Sequence, residues 1–319
     1  MKYIESFREG ERINDVYLCK FKQAALTKAG KPYVIVILQD KTGTIDSKIW
    51  DPGSVGIDDF DVLDYVCITG DVSIYNGSPQ LSIKRARKVS EGEYNPSDYL
   101  PVSEYDIDGM FVELTGYINS IKNTYYSKLL HAFFDNAAFE KKFKFHSAAK
   151  SVHHGFVGGL LEHTLSVTRN CDFFAKNYSI LNRDLLLTAA MFHDVGKLKE
   201  LSTFPENDYT DAGNLLGHIV MGVEMLNDQI RQIEGFPVVL ANELKHCILA
   251  HHGELEFGSP KKPALVEALC LSFADNLDAK METMKEIFNN VPENNLEWQG
   301  YNRLLETNVR RTSSEASKN

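Results

Sequence analysis

The sequence is short of several things, and each shortage removes a class of protein. Five cysteines occur in 319 residues (Cys19, Cys67, Cys171, Cys247 and Cys270), and no two stand as C-x-x-C. That number and spacing exclude a zinc ribbon and a disulfide framework, and fit a reducing cytoplasm. No stretch approaches the roughly 18 apolar residues that cross a bilayer, so no membrane-spanning helix is expected. The opening Met1-Lys2-Tyr3-Ile4-Glu5 lacks the apolar core of a secretory signal. Positive charge is scarce as well: 34 Lys+Arg stand against 44 Asp+Glu, a net −10. An acidic chain is a poor non-specific binder of nucleic acid. The deficit is uneven, however. Residues 1–90 hold 13 basic and 12 acidic side chains, and the remainder holds 21 and 32. Carboxylates therefore concentrate in the C-terminal two-thirds, where bound cations would offset them and leave a polyanionic substrate admissible. No internal repeat is present, and nothing specifies an oligomeric state.

What is there is ordinary globular material: 43% hydrophobic and 24% charged residues, in a length that suggests two domains. The spacing predicts a multidomain chain, with an N-terminal all-β barrel followed by an all-α bundle. Val34–Leu38 is a β-branched apolar run ended by the turn signal Asp40-Lys41-Thr42-Gly43. Ile45, Ser47 and Ile49 alternate with polar neighbours. Tyr65–Ile68 and Val72–Tyr75 follow as two strands separated by Gly70. Asn76-Gly77-Ser78-Pro79 turns the chain back into Gln80–Ile83. Five or six short strands in this length predict a small closed barrel over residues 1–90. The polar stretch 91–103 is expected to be a linker. From residue 104 to 305 the apolar period becomes helical, and 306–319 is expected to be a flexible tail.

Most of the 10 histidines lie between residues 146 and 252. The sharpest local feature is Phe192-His193-Asp194-Val195-Gly196-Lys197, at the end of an apolar helix. A His-Asp pair alone reads more readily as a capped helix end than as a metal site. It is accompanied, however, by His163 on the preceding helix, His218 at the start of the next, the pair His251-His252, and Asp275. Successive helices that each contribute an imidazole or carboxylate are how helical bundles build metal sites. Five or six donors exceed the needs of one ion once waters are counted, which favours two. The mixed donors suit Mn²⁺, Fe or Zn²⁺ better than Ca²⁺. Beside such a site Lys197 would steady a phosphate oxygen, or else close its helix as a surface lysine. His131, His146 and His246 have no companion at useful spacing. The polar stretch Ser202–Asn214 is a candidate lid.

The order H…HD…H…HH…D resembles the HD-domain superfamily of metal-dependent phosphohydrolases. The resemblance implies that His163, His193, Asp194 and Asp275 hold one metal, and that His218 and His251 complete a second site with Asp194 bridging. The flanking residues narrow it: His153-His154-Gly155-Phe156-Val157-Gly158-Gly159-Leu160, His193 through Leu201, Gly213 through His218, His251-His252-Gly253 with Gly258-Ser259-Pro260-Lys261, and Asp275 through Met281. Over residues ~10 to ~300, this run together with the barrel resembles the YhaM-type 3′–5′ exoribonucleases. That family implies an OB-fold domain, an HD domain, and Mn²⁺-dependent trimming of single-stranded RNA to nucleoside 5′-monophosphates, with some action on single-stranded DNA. Mg²⁺, Fe and Zn²⁺ stand as alternative ions. Either His251 or His252 is the ligand. His153, His154, Asp278 and Lys261 are candidates to orient ligands or touch substrate, with Lys262 beside the last. The acidic Glu254-Leu255-Glu256-Phe257 departs from what a phosphate-facing loop should carry. On the barrel, Lys84-Arg85-Ala86-Arg87-Lys88 is the one concentrated basic run. Tyr33 and Trp50, with Phe21 and Tyr75, are candidate stacking residues for a single strand, with Lys20, Lys22 and Lys48 as added phosphate contacts. The barrel core is the alternative place for Tyr33 and Trp50. Two other readings share the metal site: a phosphohydrolase of a nucleotide or cyclic dinucleotide with a regulatory barrel, and a non-catalytic nucleic-acid-binding factor.

Overall fold

The computed structural model describes residues 1–150, 154–289 and 291–313. The chain divides into two compact units, Met1–Pro101 and Val102–Asn319. Among the described residues no helix is long and apolar enough to cross a membrane.

The first unit is a closed barrel of β1 (Arg12–Leu26), β2 (Pro32–Asp40), β3 (Gly43–Ile49), β4 (Tyr65–Tyr75) and β5 (Ser78–Lys88). The strand order is β1-β2-β3-β5-β4, and β4 pairs back onto β1. All ladders are antiparallel except β3–β5. This is the five-stranded OB-fold arrangement. The alternation expected for β3 holds, with Ile45, Ser47 and Ile49 inward. They meet Ile13, Tyr17, Val36, Leu38, Ile68 and Leu81 in one core. Two details differ from the sequence expectation. Gly70 does not separate two strands: β4 runs through it with a register shift, because a Cβ at Gly70 would lie 2.6 Å from the Ser82 carbonyl oxygen. The expected linker is also not free chain up to Pro101. Tyr94 stacks on Tyr65 with ring centroids 3.7 Å apart, and Tyr99 and Leu100 are buried. Two aromatic rings in a polar stretch are enough to fasten it to the barrel wall.

The second unit is helical: α1 (Ile107–Asn119), α2 (Thr124–Phe134), α3 (Ala137–Phe145), α4 (Gly159–Asn177), α5 (Arg183–Phe192), α6 (Lys197–Glu200), α7 (Asp211–Ile230), α8 (Val238–Leu249) and α9 (Val266–Asn289). Side chains of Asp106, Asn123, Asn136, Asn182 and Thr210 cap α1, α2, α3, α5 and α7 by accepting first-turn backbone N–H groups. α5 is the central element, buried from Leu185 to Phe192, and its surroundings include Leu130, Phe143, Leu161, Leu165 and Leu244. A helix apolar on all sides can only be internal. Beyond α9, Tyr301–Asn302 (β6) pairs with Thr307–Asn308 (β7), and Val309 is buried. The expected tail is therefore ordered hairpin at its start, and residues 314–319 lie outside the described residues.

Candidate metal centre

Four backbone features bring the histidines and aspartates together. His163 is buried on the second turn of α4. α5 ends at His193, so His193 and Asp194 occupy a turn rather than a continuing helix. That turn sits directly on α7: a Cβ at Gly196 would lie 1.9 Å from the His218 carbonyl oxygen, so only glycine fits. α7 is kinked at Gly217 (φ 72°, ψ 158°), which swings His218 inward. His251 follows the end of α8, and Asp275 and Asp278 lie one turn apart on α9.

The donors fall into two sets that share Asp194. His163 Nε2 lies 3.1 Å from His193 Nε2, 3.1 Å from Asp275 Oδ1 and 3.4 Å from Asp194 Oδ2. His193 Nε2 lies 3.4 Å from the same Asp194 oxygen. The other oxygen, Asp194 Oδ1, faces His218 Nε2 at 3.5 Å and His251 Nε2 at 3.8 Å. His252 stands beside this second set, its ring 4.3 Å from that of His251 and its Nδ1 bonded to the Phe257 carbonyl. His251 is the deeper of the two, fully buried.

Each of the four inner imidazoles is held by its far nitrogen. His163 Nδ1 bonds Asp278 at 2.7 Å and His218 Nδ1 bonds Glu200 at 3.0 Å. His193 and His251 use Nδ1 to reach the carbonyls of Ala190 and Ile248, both at 2.7 Å. With the N–H turned outward, all four Nε2 lone pairs face the centre. Asp194 Oδ1, His218 Nε2 and His251 Nε2 are buried and have no hydrogen-bond partner among the described residues. Three convergent polar atoms without partners would be costly to leave empty-handed, and a divalent cation is the partner their chemistry suits. The donor set fits a metal.

Burial alone would keep Asp194 protonated, but the Lys197 ammonium and the His193 ring outweigh it and hold the carboxyl well below the usual range. Asp278 is buried and Asp275 half-buried; desolvation opposes their charge, yet their histidines hold both far below the carboxylate range. Burial pushes His251 well below the ordinary imidazole value, with His252 and His193 adding to it. Lys197 Nζ lies 2.7 Å from Asp194 Oδ2; burial opposes its charge, but Asp194 raises its pKa.

The centre opens into a cleft of about 630 Å³. His154, Lys197 and His252 line it beside the donors, and Lys280 and the segment Arg303–Glu306 line it elsewhere. His154 Nε2 bonds Asp278 at 3.1 Å. His153 lies outside the described residues. Lys261 is not among the lining residues, and Lys262 is paired with Glu254, which removes one charge of the acidic loop. The candidate lid is not over the cleft: Asn207 is buried and bonded to the carbonyls of Ala149 and Lys150, and no residue of 202–214 lines the cavity. Glu200, Lys280 and the hairpin tip have no signal in the spacing of the sequence. Glu200 is seven residues past His193, yet its work is on a histidine eighteen residues further on.

On the barrel, Tyr33 and Trp50 stack with centroids 5.3 Å apart. Lys48 Nζ lies 5.2 Å from the Trp50 ring and 5.4 Å from the Tyr75 ring. Trp50 is 45% and Tyr75 59% exposed, so this is an outer aromatic patch and not core. The basic run is largely spoken for. Lys84 pairs with Asp71, Arg87 with Glu93 and Lys88 with Asp64, while Arg85 makes no ion pair among the described residues.

The HD domain family matches residues 160–280. The chain is 36% identical over 285 residues to the 3′–5′ exoribonuclease YhaM of Bacillus subtilis (strain 168), covering 88% of this chain and 89% of that protein. The protein of the same name from Geobacillus sp. (strain WCH70) is 34% identical over 293 residues, with 91% and 89% covered. Among solved structures, the second OB-fold domain of replication protein A from Methanococcus maripaludis matches 28% of this chain and 96% of its own, at 18% identity and a TM-score of 0.22.

Proposed function

The chain belongs to the YhaM family of 3′–5′ exoribonucleases and is a metal-dependent 3′–5′ exoribonuclease, and from that premise we propose how its residues divide the work. His163, His193, Asp194 and Asp275 would hold one divalent ion, and His218 and His251 would complete a second site together with Asp194. The observation that carries this is the convergence of Asp194 Oδ1, His218 Nε2 and His251 Nε2, buried and otherwise partnerless. Mn²⁺ is the favoured ion for mixed imidazole and carboxylate donors, with Mg²⁺, Fe and Zn²⁺ as alternatives. When bound, such ions lower the pKa of a water toward neutrality and take up negative charge on phosphate.

The chain's own residues set the geometry. Asp278, Glu200 and two carbonyls fix the four imidazoles so that no rotation is needed at the moment of reaction. Lys197, paired with Asp194, sits at the cleft wall, where it holds a non-bridging oxygen of the scissile phosphate. His252 and His154, on the same wall, touch the substrate or steady their neighbours. Cleavage on the 3′-oxygen side leaves the phosphate with the released nucleoside, giving 5′-monophosphates. This route makes no use of the 2′-hydroxyl as nucleophile, so single-stranded DNA is a chemically admissible substrate. Residues 1–90 hold the strand by stacking bases on Trp50, Tyr33 and Tyr75 with Lys48 at a phosphate, and residues 104–305 cut it. The five unpaired thiols suit a cytoplasmic location.

The test uses 5′-labelled single-stranded RNA with Mn²⁺ or Mg²⁺, with chelator, and with Asp194→Ala. Stepwise shortening from the 3′ end is expected only with metal and intact Asp194. Internal cuts, or shortening by Asp194→Ala at the native rate, would overturn the reading.

A further inference from the structure

The metal donors account for cutting a phosphodiester; they do not account for cutting at a strand's end. The cleft offers a reason. Part of its wall is the tip of the β6–β7 hairpin, Arg303-Leu304-Leu305-Glu306. These residues lie beyond 160–280, the part that matches the HD domain, so this wall is an addition to the shared hydrolytic unit. The tip is built to hold its shape. Asn302 Oδ1 accepts the N–H groups of Leu304 and Leu305 at 2.9 and 3.0 Å, and the buried Val309 accepts the Gln299 N–H.

The chemistry of the tip is mixed in a particular way. Arg303 and Glu306 line the same cleft as Lys280 of α9, and among the described residues none of the three side chains has an ion-pair or hydrogen-bond partner. Glu306 also adopts φ 53°, the left-handed region where a turn favours glycine. A carboxylate in that place is an acceptor offered to the cleft. Leu304 is 56% exposed and gives the tip an apolar surface. Two cations, an acceptor and an apolar edge, beside a phosphate-cutting centre, match the parts of one nucleotide: phosphate, ribose hydroxyls and base.

We propose that the hairpin tip is the seat of the 3′-terminal nucleotide of the RNA, which rests on the exonuclease reading above. Glu306 accepts from the hydroxyls of the terminal ribose, as carboxylates do in nucleotide sites. Arg303 and Lys280 supply positive charge to its phosphate, and Leu304 meets the base. A strand that continued past this nucleotide would put a phosphate against Glu306, where like charges repel. The tip thus selects free ends and refuses internal positions.

A 3′-phosphate mimics a continuing strand and supplies the test. The full-length, Mn²⁺-loaded protein is given two 5′-labelled RNAs that differ only in a 3′-hydroxyl or a 3′-phosphate. The native protein is expected to cut the phosphate-ended strand at least about tenfold more slowly. Glu306→Gln should narrow that ratio by at least about threefold, because the repulsion is gone while an acceptor remains. Arg303→Ala should raise KM about tenfold for both strands and leave the ratio in place. Calorimetry with a nucleoside 5′-monophosphate gives an independent readout: its preference over the 2′,3′-dideoxy form should shrink in Glu306→Gln. If the native protein trims the hydroxyl-ended RNA but Glu306→Gln changes neither ratio nor preference, the seat is elsewhere and the exonuclease reading stands. If the native protein trims no RNA with metal present, that reading falls, and calorimetry alone judges the tip.

Discussion

The barrel and the helical unit each carry a concentration of charge, and they treat it in opposite ways. On the barrel, Lys84, Arg87 and Lys88 lie at the surface and already have carboxylate partners. In the helical unit, Asp194, His218 and His251 are buried and turn atoms without partners toward a common point. Exposed pairs are worth little and reveal little. Buried atoms left open reveal a ligand, because the fold bears their desolvation for some return. The proposed metal centre therefore lies where charge is hidden, and the proposed strand contact on the barrel is the exposed aromatic patch around Lys48.

The comparison can be broken most directly at Asp194. Asp194→Ala removes the atom common to both donor sets and should reduce kcat on RNA by at least about 10³-fold, with strand binding by fluorescence anisotropy little changed. A mild loss would return the unpartnered atoms to the status of packing accidents. His146 sharpens the same point from the other side. It is buried, and among the described residues both its ring nitrogens lack hydrogen-bond partners and it belongs to no cluster of three or more candidate metal ligands. Burial, then Lys142, takes its pKa from 6.5 down to about 4. The unfolded chain takes up this proton near 6.5 and the folded one only near 4. Stability from this source is thus full above that window and falls as the pH drops through it. By pH 5 the loss should be about 2 kcal/mol, read by urea unfolding and absent in His146→Gln.

Glu200→Gln and Asp278→Asn test the imidazole supports and should weaken Mn²⁺ binding by about 10–100-fold each, measured by calorimetry or by the paramagnetic resonance of free Mn²⁺. Unchanged affinity in both would mean that packing alone orients the rings. On the barrel, Trp50→Ala should weaken single-stranded RNA binding by about 1–3 kcal/mol. Lys88→Ala, which removes a cation already paired with Asp64, should change it by less than about threefold. The reverse ranking would move the binding face to the basic run.

Four of the six donors, His193, Asp194, His218 and His251, are readable without coordinates because they sit where a helix ends or kinks, and such places leave marks. The Gly-Lys after His193-Asp194, the glycine before His218 and the glycine after His251-His252 each signal where a helix stops and a side chain is freed to turn inward. The residues that support them are another matter. Glu200 reaches His218 across a loop, and Asp278 reaches back to α4 over more than a hundred residues. No local period encodes such contacts. The hairpin tip escapes for a related reason: two strands of two residues each are too short to show alternation. In the barrel, β2 is legible from its β-branched apolar run and β3 from alternation. β1 is not, since it serves β4 along its first half and β2 along its second, with a register shift between Cys19 and Phe21 that breaks the period.

Gly196 has a consequence of its own. Its α-carbon rests against the carbonyl of His218, so main chain meets main chain at the joint between the two donor sets. The interval between them is consequently gauged by peptide planes, which do not hop between rotamers. A side chain at that joint would have to push the two backbones apart, and the two donor sets with them.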